Sequence, residues 1–175
     1  MPRWQKELNE WIKALLLAIV LAVVLRVLIV DNYIVDGDSM LPTLHDQDRV
    51  LVYKLGQKLG MMPKRGDIIV FQYAREPWRD FVKRVVGLEG DQIEIKEGKL
   101  YVNGKAQLEP YLSAPMLGSY GPEIVPAGRV FVMGDNRNFS MDSRDPQVGM
   151  VTLDSIKGEA IVVYWPLKTL RLIKR

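Results

Sequence analysis

Ser39 stands in a short polar turn, DGDSMLPTLHD at residues 36–46, directly after a long apolar segment. A serine is a weak nucleophile at neutral pH and attacks a carbonyl only when a neighbouring base takes its proton. Two residues compete for that role. His45 is the sole histidine of the chain and lies six positions downstream, with Asp46 beside it. Catalytic histidines as a rule come from a separate element and are oriented by a buried acid, whereas LHDQD reads as an exposed turn. Lysine is the alternative. It ordinarily titrates at about 10.4 and becomes a base only when burial or a nearby cation disfavours the ammonium form.

Lys83, in DFVKRVVG, has such surroundings. Strand alternation places Phe81, Lys83 and Val85 on one face and Val82, Arg84 and Val86 on the other. Apolar neighbours on its own face and the adjacent Arg84 both oppose a charged lysine. The competing reading is an edge-strand lysine with a snorkelling stem. A third stretch, MGDNRNFSMDSR at residues 133–144, follows the apolar run RVFV and gathers Asp135, Arg137, Asp142 and Arg144. Asp, Asn and Ser can build a plain hydrogen-bonded loop, but paired charges just after a strand also suit a site.

Composition narrows the chemistry. The chain has no cysteine, which excludes a thiol nucleophile and a thiolate metal site. One histidine and no HExxH pattern argue against a metal centre, so no metal and no cofactor are expected. The net charge of +3 is mild and the basic residues are dispersed, so no nucleic-acid partner is expected.

The elements that position these residues fall into two parts. Residues 12–30 are apolar except for Lys13 and Arg26, and Ala14 to Leu25 is apolar throughout. A membrane span needs roughly 20 such residues. No small-residue pair of the kind a cleaved secretory signal requires follows Arg26. The expectation is therefore an uncleaved transmembrane anchor over 12–30, a short cytoplasmic segment over 1–11, and an extracytoplasmic domain over 31–175. Arg3, Lys6 and Lys13 before the segment and acids after it favour an inside N-terminus.

Beyond residue 30 the pattern turns to short runs rich in Val, Ile, Tyr and Phe, among them RVLVYKL, DIIVFQY, DQIEIK and EAIVVYW. KEGK and VNGK read as hairpin turns. The expected fold is mainly β, an antiparallel sandwich or irregular barrel. Residues 106–128 read as an irregular connection, and the tail LKTLRLIKR as an edge strand or a lipid contact.

Four stretches together carry a resemblance: SMLPTL (39–44), RGDIIVF (65–71), KRVVGLEGD (83–91) and GDNRNFSMDSR (134–144). In order and form they resemble the boxes of bacterial type I signal peptidases, and the N-terminal apolar segment resembles that family's anchor. The short chain resembles the smaller, Gram-positive-like members. The resemblance implies a serine endopeptidase of the bacterial cytoplasmic membrane, facing outward, that cleaves exported preproteins through a Ser-Lys dyad.

It implies Ser39 as nucleophile and Lys83 as general base, with Ser140 hydrogen-bonded to the lysine. Asp142 and Arg144 become a supporting pair, and Asp135 and Arg84 further structural positions. The Ser39 N–H would serve an oxyanion hole. Gly37 stands where many Gram-negative members carry a contributing serine, and Glu89 stands where the family turn has proline. Ile34, Val35 and Met40 are expected to line shallow substrate pockets. The rivals are a self-cleaving repressor-type peptidase and a non-catalytic anchored β-domain.

Overall fold

The structure, a computed structural model, describes residues 3–174. Met1, Pro2 and Arg175, at the ends of the expected cytoplasmic segment and of the basic tail, lie outside the described residues. The chain opens with helix α1 (Arg3–Val24) and a π-helical segment (Leu25–Ile29) that leads straight into strand β1 (Val30–Ile34). Among the described residues, no helix is long and apolar enough to cross a membrane. The expected span over 12–30 is thus divided: its α-helical part ends at Val24, and Val30 already belongs to a strand. The first half of α1 also carries Glu7, Glu10 and Lys13.

Everything after Ile29 is mainly β, as expected. The larger sheet is built from β1, β2 (Arg49–Tyr53), β3 (Ile68–Gln72), β4 (Asp80–Gly87), β9 (Arg129–Met133), β10 (Val151–Thr152) and β11 (Ile156–Trp165). Its order is β1-β2-β11-β3-β4-β9-β10, antiparallel throughout, and β12 (Arg171–Leu172) pairs with β11. The tail is therefore an edge strand. The smaller sheet runs β7-β6-β5-β8, using β5 (Gln92–Lys96), β6 (Lys99–Val102), β7 (Lys105–Ala106) and β8 (Tyr120–Ile124). Helix α2 (Leu55–Lys58) is a single turn after β2.

The side-chain pattern explains the layering. In β2, β5 and β6 alternate residues are buried, as a half-exposed strand requires. In β3, Ile68 and Val70 enter one core while Ile69 and Phe71 enter another. An unbroken apolar run is what a strand between two cores needs. β9 likewise sends Phe131 and Met133 toward the small sheet and Val130 and Val132 the other way.

Both predicted hairpin turns form. Glu97 and Gly98, then Asn103 and Gly104, have positive φ, the backbone of two-residue hairpin loops. The irregular stretch hides one strand, β8, whose Gly121-Pro122 reads as a turn. Gly121 serves close approach instead, because a Cβ there would strike the Ile93 carbonyl. Glu89 does not loosen the GLEGD turn. Asp91 accepts from the Leu88 N–H at 2.7 Å, and Glu89 accepts from the Gly128 N–H at 2.9 Å.

Candidate active site

Ser39 belongs to the loop joining β1 and β2. The neck of that loop is closed by Val35 N–H to Asp48 O and Gln47 N–H to Val35 O, both at 2.9 Å. Its inner side is plugged by Met40 and Leu44, both fully buried. Gly37 takes φ +89°, which suits glycine, and its N–H donates to Asp46 Oδ1 at 2.8 Å. That N–H is thus already committed to the loop.

A second loop, residues 134–144, grips the first. Asn136 donates its backbone N–H to Ser39 O at 3.0 Å and its side-chain amide to Asp38 O at 3.1 Å. The two backbones meet at Gly134, where a Cβ would collide with the Ser39 carbonyl and the Ser140 hydroxyl. Asp142, wholly buried, accepts from the Gly134 N–H at 3.0 Å and from two Arg144 nitrogens at 2.8 Å. Arg144 then reaches the Arg137 carbonyl at 2.6 Å. This loop is a rigid wall, fixed by ion pairs rather than by regular structure.

Lys83 comes from β4. Its Nζ lies 2.8 Å from Ser39 Oγ and 2.9 Å from the Val82 carbonyl, and the side chain is only 4% exposed. Burial, the largest cause, pushes its pKa down to about 8; Arg79 pushes the same way, while Asp142 and Asp135 oppose it. The expected helper, Arg84, plays no such part. It points to the other face, where Asp135 accepts from its Nε at 2.8 Å and its terminal nitrogen at 2.7 Å. Thr43 donates to the same carboxylate.

Ser140 departs from expectation. Its hydroxyl is buried beside Gly134 and, among the described residues, makes no hydrogen bond, so the bond to Lys83 that the resemblance implies is not formed. His45 is far from the reaction centre in kind: its side chain is 60% exposed, and its Nδ1 faces Asp48 at 3.9 Å.

Ser39 and Lys83 open onto a cleft of about 280 Å³ whose walls include β1 residues Tyr33 and Ile34 and the start of β4. Of the predicted pocket residues, Ile34 and Val35 line it. Met40 does not: its side chain turns inward to pack with Leu44, Val50 and Val163. Phe139 and Met141 line the cleft instead, as does Arg79. The sequence does hold a signal for Arg79, because it shares the alternation of Phe81 and Lys83.

Among the described residues, the cleft is bordered by strand edges without a neighbouring strand. β1 is the terminal strand of its sheet, and β4 pairs with β9 only from Arg84 onward. Residues 80–83 therefore have one free edge, as β1 does.

The family described as signal peptidase, peptidase S26, matches residues 8–165. Signal peptidase I of Bacillus licheniformis is 41% identical over 177 residues, covering 95% of this chain and 94% of that protein. Signal peptidase I S of Bacillus subtilis strain 168 is 41% identical over 178 residues, with 95% and 94% covered. The crystal structure of a signal peptidase I from Enterococcus faecalis V583 superposes with a TM-score of 0.50 at 32% identity, covering 56% of this chain and 96% of that one.

Proposed function

The chain belongs to the signal peptidase family, peptidase S26, and on that premise we propose that it removes signal peptides from exported preproteins by a Ser39–Lys83 dyad. The observation that carries the proposal is the 2.8 Å separation of Ser39 Oγ from a buried Lys83 amine. A desolvated amine is the form of lysine that can accept a proton.

The cycle is acyl transfer. Neutral Lys83 accepts the Ser39 proton as Oγ attacks the scissile carbonyl, and then gives that proton to the leaving amine. A water deprotonated by Lys83 attacks the acyl-enzyme, and Lys83 returns that proton to Ser39 Oγ as the acyl bond breaks. The oxyanion is met by the Ser39 N–H. Ser140, with its hydroxyl buried next to the site, is a reserve donor for the lysine once substrate excludes water. Asp142 with Arg144, and Asp135 with Arg84, hold the walls. The substrate adds as an extended segment between β1 and residues 80–83, main chain to main chain. Ile34 and Val35 meet its small side chains.

The N-terminal helix acts as the anchor. From Ile12 to Val24 its side chains are exposed on all sides, so none of the described residues covers them. With the π-helical turn, Ile12 to Ile29 rises about 27 Å at the α-helical rise, close to the bilayer's hydrocarbon thickness. Ser39 then follows nine positions after Val30, which confines the serine to within about 30 Å of the outer surface.

The test is cleavage of a purified preprotein by the full chain in detergent. Ser39→Ala and Lys83→Ala should each lose on the order of a thousandfold or more while keeping the native circular dichroism. Near-normal turnover by Lys83→Ala would refute the lysine base.

A further inference from the structure

Phe81 and Lys83 share one face of β4, and Arg79, one residue before the strand, continues their alternation. Arg79 sits at the base of the β3–β4 hairpin, fixed by Tyr73 N–H to Arg79 O at 2.9 Å and Arg79 N–H to Glu76 O at 2.8 Å. The guanidinium carbon of Arg79 and the Nζ of Lys83 each stand 5.2 Å from the centre of the Phe81 ring. Tyr73 stacks on that ring at 4.7 Å, which holds it in place. The Arg79 guanidinium and the Lys83 amine thus flank one immobilised aromatic ring inside the Ser39 cleft.

A guanidinium keeps its proton at any working pH, whereas an amine can release one. Repulsion between the two is therefore relieved by discharging Lys83. The remaining charges of the cleft pull the other way. Asp36, Asp38 and Asp80 line it, and Asp142 and Asp135 act from behind the lysine. Arg84 faces away, bound to Asp135. Among the described residues, Arg79 is the one cation besides Lys83 on the cleft wall. Its ion pair to Glu76 is long, 3.9 Å, and half-exposed, so it is little neutralised.

Resting on the reading of Lys83 as the base, we propose that Arg79 is a positioning residue for it, a cation beside the Phe81 ring that adds to burial in weakening the hold of the Lys83 amine on its proton against the carboxylates of the cleft. The direction of the Lys83 shift, with Arg79 among its causes, agrees.

The experiment is the pH dependence of preprotein cleavage by the full chain, as kcat/KM, for wild type, Arg79→Gln, Arg79→Lys and Lys83→Ala. In Arg79→Gln the acid limb should move to higher pH by on the order of half a unit, a roughly threefold loss near pH 7 that vanishes by about pH 10. Arg79→Lys retains a cation and should keep the wild-type limb. A limb that stays in place in Arg79→Gln, or a loss that is uniform with pH, overturns the proposal. If Lys83→Ala retains turnover, the base assignment itself fails. If Lys83→Ala is dead and the limb of Arg79→Gln is unmoved, only the role of Arg79 fails.

Discussion

Lys83 and Arg84 are neighbours on β4, both buried, one on each face of the strand. Arg84 is 1% exposed and fully matched: a bidentate bond to Asp135, a bond to the Gly66 carbonyl at 2.8 Å, and a Tyr111 ring 4.0 Å away. Lys83 is 4% exposed and has a hydroxyl, a carbonyl and the Phe81 ring at 5.2 Å, with no carboxylate bonded to it among the described residues. The chain buries one cation with its counter-charge and the other without one, so the second holds its proton more weakly. The first locks two loops together; under the proposed function the second is the base. The difference lies in the carboxylates. Asp135 bonds directly to Arg84, while Asp142, the strongest influence of opposite sign on Lys83, is taken up by Arg144.

The largest stability effect should come from breaking the matched side. Arg84→Met leaves Asp135 buried without its counter-charge, at a cost of about 3–5 kcal/mol in denaturant unfolding near neutral pH. Replacing both partners, Arg84→Met with Asp135→Leu, should recover much of that loss. A cost for the single variant as small as that of a surface pair, below about 1 kcal/mol, would show that the contrast between the two faces is not electrostatic.

The unmatched side should respond with the opposite sign. Lys83 has its pKa lowered from 10.5 to about 8 in the folded protein. Between these values the unfolded chain binds the proton more readily than the native one, so stability rises with pH across that window. Below about pH 8 the penalty is complete, on the order of 3 kcal/mol. Lys83→Met should therefore stabilise the protein at pH 7 by a comparable amount, and the gain should disappear as pH rises through 8 to 10.5. A gain that does not change with pH would mean that packing, not charge, separates the two residues.

A smaller effect tests the wall between them. Gly134→Ala pushes a methyl group into the Ser39 carbonyl and the Ser140 hydroxyl. Displacing the nucleophile by about an ångström should cost on the order of a hundredfold in kcat/KM, with the Arg84–Asp135 pair and its stability contribution left intact.

The two faces were also unequally legible. Alternation in DFVKRVVG assigns Lys83 and Arg84 to opposite sides, and composition marks Lys83 as surrounded by apolar groups. Nothing local tells that Arg84 meets Asp135, 51 residues away, rather than acting on its neighbour. Met40 departs from its expected place for a similar reason: in an irregular loop, adjacency to Ser39 does not say which way a side chain turns, and the core of β2 and β11 claims it. The strands with regular alternation and both hairpin turns follow from local rules. β8 does not, because its Gly-Pro pair is tolerated only through the close contact with β5. The N-terminal helix shows the same limit, since its apolar length is plain in the sequence but the change to π-helical winding at Leu25 is not.

The smallest effect belongs to the residue that first competes with Lys83. His45 donates its backbone N–H to Asp48 at 3.1 Å and receives the Asp48 N–H on its carbonyl at 3.1 Å. Asp48 in turn holds Arg171 at 3.0 Å. Both bonds made by His45 use its backbone, and the imidazole stands mostly in solvent. His45→Ala keeps them and should change stability by no more than about 0.5 kcal/mol, as surface substitutions do. Its kcat/KM for a preprotein should stay within about twofold of wild type, whereas loss of a general base costs a hundredfold or more. A loss of that size in His45→Ala, with the fold intact, would move the proton acceptor off β4. Lys83 would then be a second structural cation, and the contrast with Arg84 would collapse.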